Sequence, residues 1–142
     1  MGRRVLTVIV GVWVALGLRS SGAPATLAPS QEGKTAKPTR SVWDGVFTEE
    51  QARRGRRIFQ SRCADCHKPS EFKAGYETAY EIFSSRSEMP ESAPGSLSAQ
   101  EYADLIAYIF EANDMPAGKE ELKGDPEVLK KIRIEAEKPS GR

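Results

Sequence analysis

Residues 63–67 read Cys-Ala-Asp-Cys-His, and this pentapeptide constrains the chain more than any other stretch. Two cysteines three positions apart, followed directly by a histidine, form the pattern of covalent c-type haem attachment. On a helical turn, side chains three and four positions apart lie on the same face. We therefore expect Cys63 and Cys66 to form thioethers to one haem edge, and His67 to bind the iron from the same side.

Three other uses of such a motif fit the sequence less well. A structural zinc site needs about four Cys or His ligands, whereas the chain holds two cysteines and one histidine. A thioredoxin-like dithiol is expected in a βαβ context, and no strand pattern surrounds this motif. A disulfide between residues three apart is geometrically awkward and leaves the adjacent His67 without a role.

The N-terminus predicts a cleavable signal peptide over residues 1–25. Arg3 and Arg4 precede an apolar run over residues 5–18, and small residues then lead to an A-x-A-like site ending at Ala25. An uncleaved anchor helix is the alternative, but a membrane span needs about 20 apolar residues. Because bacterial haem attachment to such motifs takes place after export, we expect a periplasmic protein.

Charge and composition set the boundaries of the mature domain. Loss of residues 1–25 leaves 18 basic and 20 acidic side chains, a formal charge of −2, which gives no indication of binding to nucleic acid or to an anionic membrane. Residues 26–41 are rich in Pro, Ser, Thr and Lys and predict a flexible leader. We expect the folded domain over residues 42–137, a disordered tail over 138–142, and no membrane span after processing.

The first predicted helix delivers the Cys-x-x-Cys-His motif. A capping box at Thr48 and Gln51 opens it, and it runs to about residue 62. Its apolar stripe comprises Ala52, Gly55, Ile58 and Phe59, with arginines 53, 54 and 57 largely on the other side. Because glycine inside a helix costs about 1 kcal/mol relative to alanine, Gly55 on this stripe predicts close approach of a second helix.

The remaining elements are also predicted to be helical. A second capping box at Ser98 opens the most amphipathic helix, over residues 98–112, with an apolar side formed by Tyr102, Leu105, Ile106, Ile109 and Phe110. A short helix is expected over residues 77–85. An N-cap at Asp125 and a proline at Pro126 predict a terminal helix to about residue 137. The fold class is therefore all-α.

Methionine is the expected sixth ligand of the iron. The chain has one histidine, which excludes ligation by two histidines of the same chain, and methionine is the usual partner of histidine in cytochromes c. Met89 lies in an irregular stretch, where the backbone can place its side chain over a haem face. Met115 follows a long helix, where packing in the core is expected. A backbone carbonyl around Pro69 is a candidate acceptor for the second ring N–H of His67.

The chain resembles the bacterial class I cytochrome c family. The resemblance covers about residues 42–134 and lies in Gly55 and Phe59 ahead of the motif, in Met89-Pro90, and in residues 94–98 and 101–109. It implies N- and C-terminal helices crossing around one covalently bound haem c, with thioethers at Cys63 and Cys66, His67 as proximal ligand and Met89 as distal ligand. Residues 42–48 and 115–118 resemble a subgroup that accompanies periplasmic, often quinoprotein, dehydrogenases.

The resemblance implies a one-electron carrier, not an enzyme. No acid/base pair, nucleophile constellation or phosphate loop competes with this interpretation. Redox proteins are the expected partners, with a periplasmic dehydrogenase as donor and an oxidase or another cytochrome as acceptor. Met89 lies 22 residues after His67, a shorter stretch than relatives commonly have, which implies a more exposed haem edge. A haem-based sensor or peroxidase-like protein with a labile distal ligand is one alternative, and a subunit docked permanently on a dehydrogenase is another.

Overall fold

The structure, a computed structural model, describes residues 37–140. The predicted signal peptide and most of the predicted leader lie outside the described residues. Helices dominate the described part, which confirms the all-α prediction. They are α1 (Glu49–Arg62), α2 (Ala79–Ser84), α3 (Ala99–Glu111) and α4 (Pro126–Leu129), with 3-10 turns at Val42–Asp44, Pro69–Phe72 and Ser85–Ser87. Two strands of two residues each, β1 (Arg40–Ser41) and β2 (Ile132–Arg133), complete the element list.

Helices α1 and α3 begin where their capping residues predict. The Thr48 hydroxyl accepts a hydrogen bond from the Gln51 N–H at 3.2 Å, and the Ser98 hydroxyl accepts one from the Glu101 N–H at 3.2 Å. At Ser98 the capping box is complete, because the Glu101 carboxylate also accepts the Ser98 N–H at 2.8 Å. Two orphan N–H groups are thereby satisfied, which fixes the start of α3.

Gln51 departs from the predicted capping box. Its side chain is fully buried and points into the contact between α1 and the rest of the domain. Its Nε2 donates to Asp104 Oδ1 at 3.0 Å and to the Leu122 carbonyl at 2.7 Å. Its Oε1 accepts the Leu122 N–H at 2.7 Å. Gln51 therefore joins α1, α3 and the segment after α3 in one buried network, because these long-range partners outweigh the local cap.

The backbones of α1 and α3 come into contact at Gly55. A Cβ placed on Gly55 would lie 1.8 Å from the Asp104 carbonyl oxygen, well inside any permitted contact. The predicted close approach is thus confirmed. One turn further along α1, the Phe59 ring meets the Tyr108 ring edge-on, with centroids 5.4 Å apart. This crossing sets the direction in which α1 delivers the residues that follow it.

Arg54 does not lie simply on the solvent side, as the helical pattern predicted. Its Nε donates to Asp104 Oδ2 at 2.8 Å, and its Nη2 donates to Glu121 at 2.9 Å. These two carboxylates raise the pKa of the Arg54 guanidinium above its usual range. Asp104 is 5% exposed, so Arg54 supplies the positive charge that a buried carboxylate requires. Arg54 therefore belongs to the helix crossing.

The buried network gives a prediction at Gln51. In Gln51→Ala, the Leu122 N–H loses its acceptor, whereas the Leu122 carbonyl keeps the Gln100 Nε2 at 3.1 Å. A buried donor left unpaired costs about 1–3 kcal/mol, and the unfolding free energy should fall by about that amount in urea denaturation. Gln100→Ala is the matched control, because Gln100 is exposed and shares the same two partners. An equal loss in the two variants would contradict this account.

The C-terminal region corrects a prediction. The expected helix to residue 137 ends at Leu129, and the chain then forms β2, which pairs in parallel with β1. Burial alternates here, with Ile132 and Ile134 buried and Arg133 between them partly exposed. A period of two and β-branched side chains favour a strand. Strand pairing with the start of the domain, 92 residues away, provides hydrogen-bond partners that a local pattern does not reveal.

The folded part consequently begins earlier than predicted. Arg40 and Ser41, assigned to the flexible leader, form β1, and Ser41 is fully buried. The Trp43 indole N–H donates to the Glu135 carbonyl at 3.0 Å, which adds a side-chain contact beside the strand pair. Residues 138–140 form no helix or strand, and the predicted disorder of the tail stays a prediction.

Candidate haem site

The Cys-x-x-Cys-His motif lies on a tight turn at the end of α1. Cys63 caps the helix, and its carbonyl accepts the N–H groups of Cys66 at 3.1 Å and of His67 at 2.9 Å. Both cysteines are free thiols. The helix therefore passes directly into a turn that keeps the three side chains close together.

These three side chains line a single cavity together with Met89. The cavity has a volume of about 380 Å³ and opens to solvent on one side. Its apolar wall comes mainly from α1, α2 and α3 and from the turn after the motif, and includes Phe59, Phe72, Ile82, Tyr102, Leu105 and Ile109. Ile106 and Phe110, predicted on the apolar side of α3, are buried in the core and do not line this cavity. The four residues that carry two thiols, an imidazole and a thioether thus line one apolar cleft.

The two candidate methionines occupy different environments. Met89 lines the cavity and is 36% exposed. Its N–H donates to the Ser85 carbonyl at 3.0 Å, just after the third 3-10 turn, while the Gly95 N–H closes the loop onto Arg86 at 3.2 Å. Met115 is 3% exposed, within the hydrophobic core. Packing accounts for Met115, whereas Met89 has its sulfur-bearing side chain at the cavity.

His67 has a carboxylate partner. Its Nδ1 lies 3.3 Å from Glu71 Oε2. The Pro69 carbonyl, which the sequence suggested as acceptor, accepts instead from the Nδ2 of buried Asn113 at 2.9 Å. Glu71 was missed in the sequence, although its position four residues after His67, in a turn opened by Pro69, is a signal that could have identified it.

Burial favours the neutral form of two groups in the wall of the cavity, the Cys63 thiol and the Tyr102 hydroxyl. Burial raises the pKa of the Cys63 thiol. Burial also raises the pKa of Tyr102, although the hydrogen bond of its hydroxyl with Ser85 Oγ at 2.9 Å acts in the opposite direction. The charged lining residues, Arg62, Asp65 and Glu91, are all exposed. The cavity therefore suits a large apolar group with a polar rim.

The donor set fits haem c better than it fits a bare ion. No group of three or more His, Cys, Asp or Glu residues between positions 37 and 140 is arranged to hold a metal ion. Two thiols can instead bond covalently to a porphyrin edge, and imidazole nitrogen and thioether sulfur are a normal axial pair for haem iron. A small helical domain that delivers such a motif into an apolar cleft is similar in fold and site to class I c-type cytochromes.

The family comparison supports this class. Residues 50–109 match the family described as Cytochrome C oxidase, cbb3-type, subunit III. The matched stretch includes nearly all of α1, the whole motif, Met89 and most of α3. A cytochrome c domain of this kind carries covalently bound haem c and generally transfers electrons rather than catalysing a reaction on a substrate. Redox proteins are accordingly the class of partner it suggests. Searches of curated proteins and of solved structures gave no significant match.

Among residues 37–140, no helix has the length and apolar character needed to cross a membrane.

Proposed function

We propose that this chain is a periplasmic monohaem c-type cytochrome that carries one electron at a time, with His67 and Met89 as axial ligands. The observation that carries the proposal is the single apolar cavity lined by Cys63, Cys66, His67 and Met89. Haem c bound there supplies reversible one-electron Fe(III)/Fe(II) chemistry. The contribution of the protein is to bind, orient and shield that group.

Each set of residues has a distinct role in this proposal. Cys63 and Cys66 hold the group covalently, and His67 and Met89 occupy the two axial positions. The apolar wall excludes water, with Phe59, Leu105 and Ile109 coming from the two crossing helices. Cys66 is exposed and Cys63 is partly exposed, so the side of the site that carries the thioethers faces solvent. A redox partner can approach there without any substrate pocket.

The assignment of Met89 gives a prediction with a built-in control. Purified Met89→Ala should keep covalent haem but lose the sulfur–iron charge-transfer band of the oxidised protein, because its thioether lines the cavity. Met115→Ala should keep the band and lose about 2–5 kcal/mol of unfolding free energy, because it removes a core side chain. Loss of the band in Met115→Ala, with retention in Met89→Ala, would reverse the assignment.

One observation favours a second function, a sensor or peroxidase-like protein with a labile distal ligand. Among residues 37–140, Met89 is the large hydrophobic residue that is exposed, at 36%. It lies in the short segment after His67. The reduced protein distinguishes the two functions. A carrier with both axial positions filled should bind CO slowly and weakly, whereas rapid CO binding by native protein would support the sensor or peroxidase-like function.

We propose redox proteins as partners, with a periplasmic dehydrogenase as donor and an oxidase or another cytochrome as acceptor. The matched family is described as an oxidase subunit, which supports the acceptor side. The predicted signal peptide supports the location. Purification of the native protein from its source distinguishes a free carrier, which elutes alone, from a subunit, which elutes with a dehydrogenase or an oxidase.

A further inference from the structure

We propose that Glu71 is the positioning residue of His67, and that its carboxylate lowers the reduction potential of the bound haem. This inference rests on the proposed function, since it requires His67 to be the proximal ligand. The contact that carries it is the hydrogen-bond distance of 3.3 Å between His67 Nδ1 and Glu71 Oε2.

The turn that holds Glu71 is anchored at several points. The Glu71 N–H donates to the Lys68 carbonyl at 3.1 Å within the 3-10 turn Pro69–Phe72. Asn113, which is buried, donates to the Pro69 carbonyl at 2.9 Å and to the Ile109 carbonyl at 2.8 Å, and so ties the turn to the end of α3. Glu71 is thus presented to His67 by a turn fixed to the C-terminal end of α3.

Aromatic packing restrains the histidine from another direction. The Phe72 ring lies against the His67 ring, with centroids 5.9 Å apart and a tilt of 57°. Phe72 in turn stacks on Tyr76, with centroids 6.0 Å apart. The imidazole is therefore held by a ring contact and by one hydrogen bond at Nδ1, and both come from residues of the segment that follows the motif.

The partner of His67 Nδ1 is a carboxylate rather than a neutral amide oxygen. The Pro69 carbonyl is already hydrogen-bonded to Asn113. When Nε2 of His67 binds iron, Nδ1 carries the ring proton and donates a hydrogen bond to the Glu71 carboxylate. Outer-shell acceptors of this kind orient the ring and increase its basicity as a ligand, and charged acceptors make stronger hydrogen bonds than neutral ones. A more basic imidazole stabilises the ferric form relative to the ferrous form, which lowers the potential.

Solvent limits the size of the effect. The side chains of His67 and Glu71 are 38% and 50% exposed, so water screens the interaction. We expect Glu71→Ala to shift the equilibrium constant for reduction about three- to tenfold toward the ferrous form. The upper value corresponds to about 59 mV for a one-electron couple.

The test is an equilibrium redox titration of purified holoprotein in four forms: the native chain, Glu71→Ala, Glu71→Gln and Asp65→Asn. Asp65 is the matched control, because it lines the same cavity and carries the same charge. Glutamine retains a neutral acceptor, so the shift in reduction potential of Glu71→Gln should lie between those of Glu71→Ala and Asp65→Asn. Glu71 is exposed, so its replacement should leave folding intact.

The outcomes separate this inference from the proposed function. Absence of covalent haem from the native protein would overturn both. Haem with normal axial bands in all four proteins, but a shift in Glu71→Ala no larger than in Asp65→Asn, would overturn only the role of Glu71. The role of Glu71 would be supported if the reduction potential shifted most in Glu71→Ala and partly recovered in Glu71→Gln.

Discussion

A protein in which Cys63 and Cys66 are both replaced by alanine should show no haem on a denaturing gel stained for haem. Thioether bonds to haem survive denaturation, whereas axial coordination bonds to the iron do not. The two thiols are the only cysteines in the chain, so no other residue can form the same attachment. Both thiols line the cavity, and we expect the native chain, coexpressed with a haem-attachment system and exported, to stain strongly.

The matching controls use one change at a time. Cys63→Ala and Cys66→Ala each leave one thiol at the cavity and should stain, more weakly than the native chain. Ser61→Ala changes an exposed residue just before the motif and should stain fully. Staining of the double variant at the native level would show that the motif does not carry the haem, and the proposed function would then fail.

Among substitutions that add one methyl group within α1, Gly55→Ala should destabilise the domain most. Alanine is favoured over glycine inside a helix by about 1 kcal/mol, so local propensity alone predicts a gain. The added Cβ would lie 1.8 Å from the Asp104 carbonyl oxygen and 2.4 Å from its carbon. Both contacts are with backbone, which cannot rotate away, so α1 and α3 must move apart.

Separation of α1 from α3 would weaken every contact between the two helices. Overpacking a core costs about 1–3 kcal/mol and occasionally more. Displacement of α3 would also disturb the buried hydrogen bond from Gln51 to Asp104. We expect the unfolding free energy, measured by urea denaturation, to fall by about 3 kcal/mol or more. Gln60→Ala, an exposed change in the same helix, should shift it by less than about 0.5 kcal/mol. Native stability in Gly55→Ala would show that the helices do not touch there.

The parts of the fold that could be predicted depend on local chemistry. The caps at Thr48 and Ser98 fix the first residues of α1 and α3 through hydrogen bonds within one turn. The close approach at Gly55 could be predicted because the free-energy cost of glycine within a helix calls for a compensating contact. The convergence of the motif and Met89 on one cavity followed from what iron requires of its ligands, although the iron bonds themselves stay a prediction.

The parts that could not be predicted depend on distant partners. Gln51 is turned inward by Leu122, 71 residues away, and Arg54 by Asp104, 50 residues away. The strand at Ile132–Arg133 exists because β1 pairs with it. A helical pattern around Val128 and Leu129 says nothing of that pairing. Such contacts arise from the assembled fold, and they override local preferences when they satisfy buried polar groups.

The pairing of β1 with β2 has a consequence for how the domain closes during folding. It joins segments far apart in sequence, and the nearby Trp43 and Glu135 are separated by 92 positions. Closing so long a loop is costly in an unfolded chain but cheap once α1 and α3 have docked. Contacts that close so long a loop tend to form late in folding. Because Ser41 and Ile132 of the pair are buried, the two ends of the domain are tied to each other through the core.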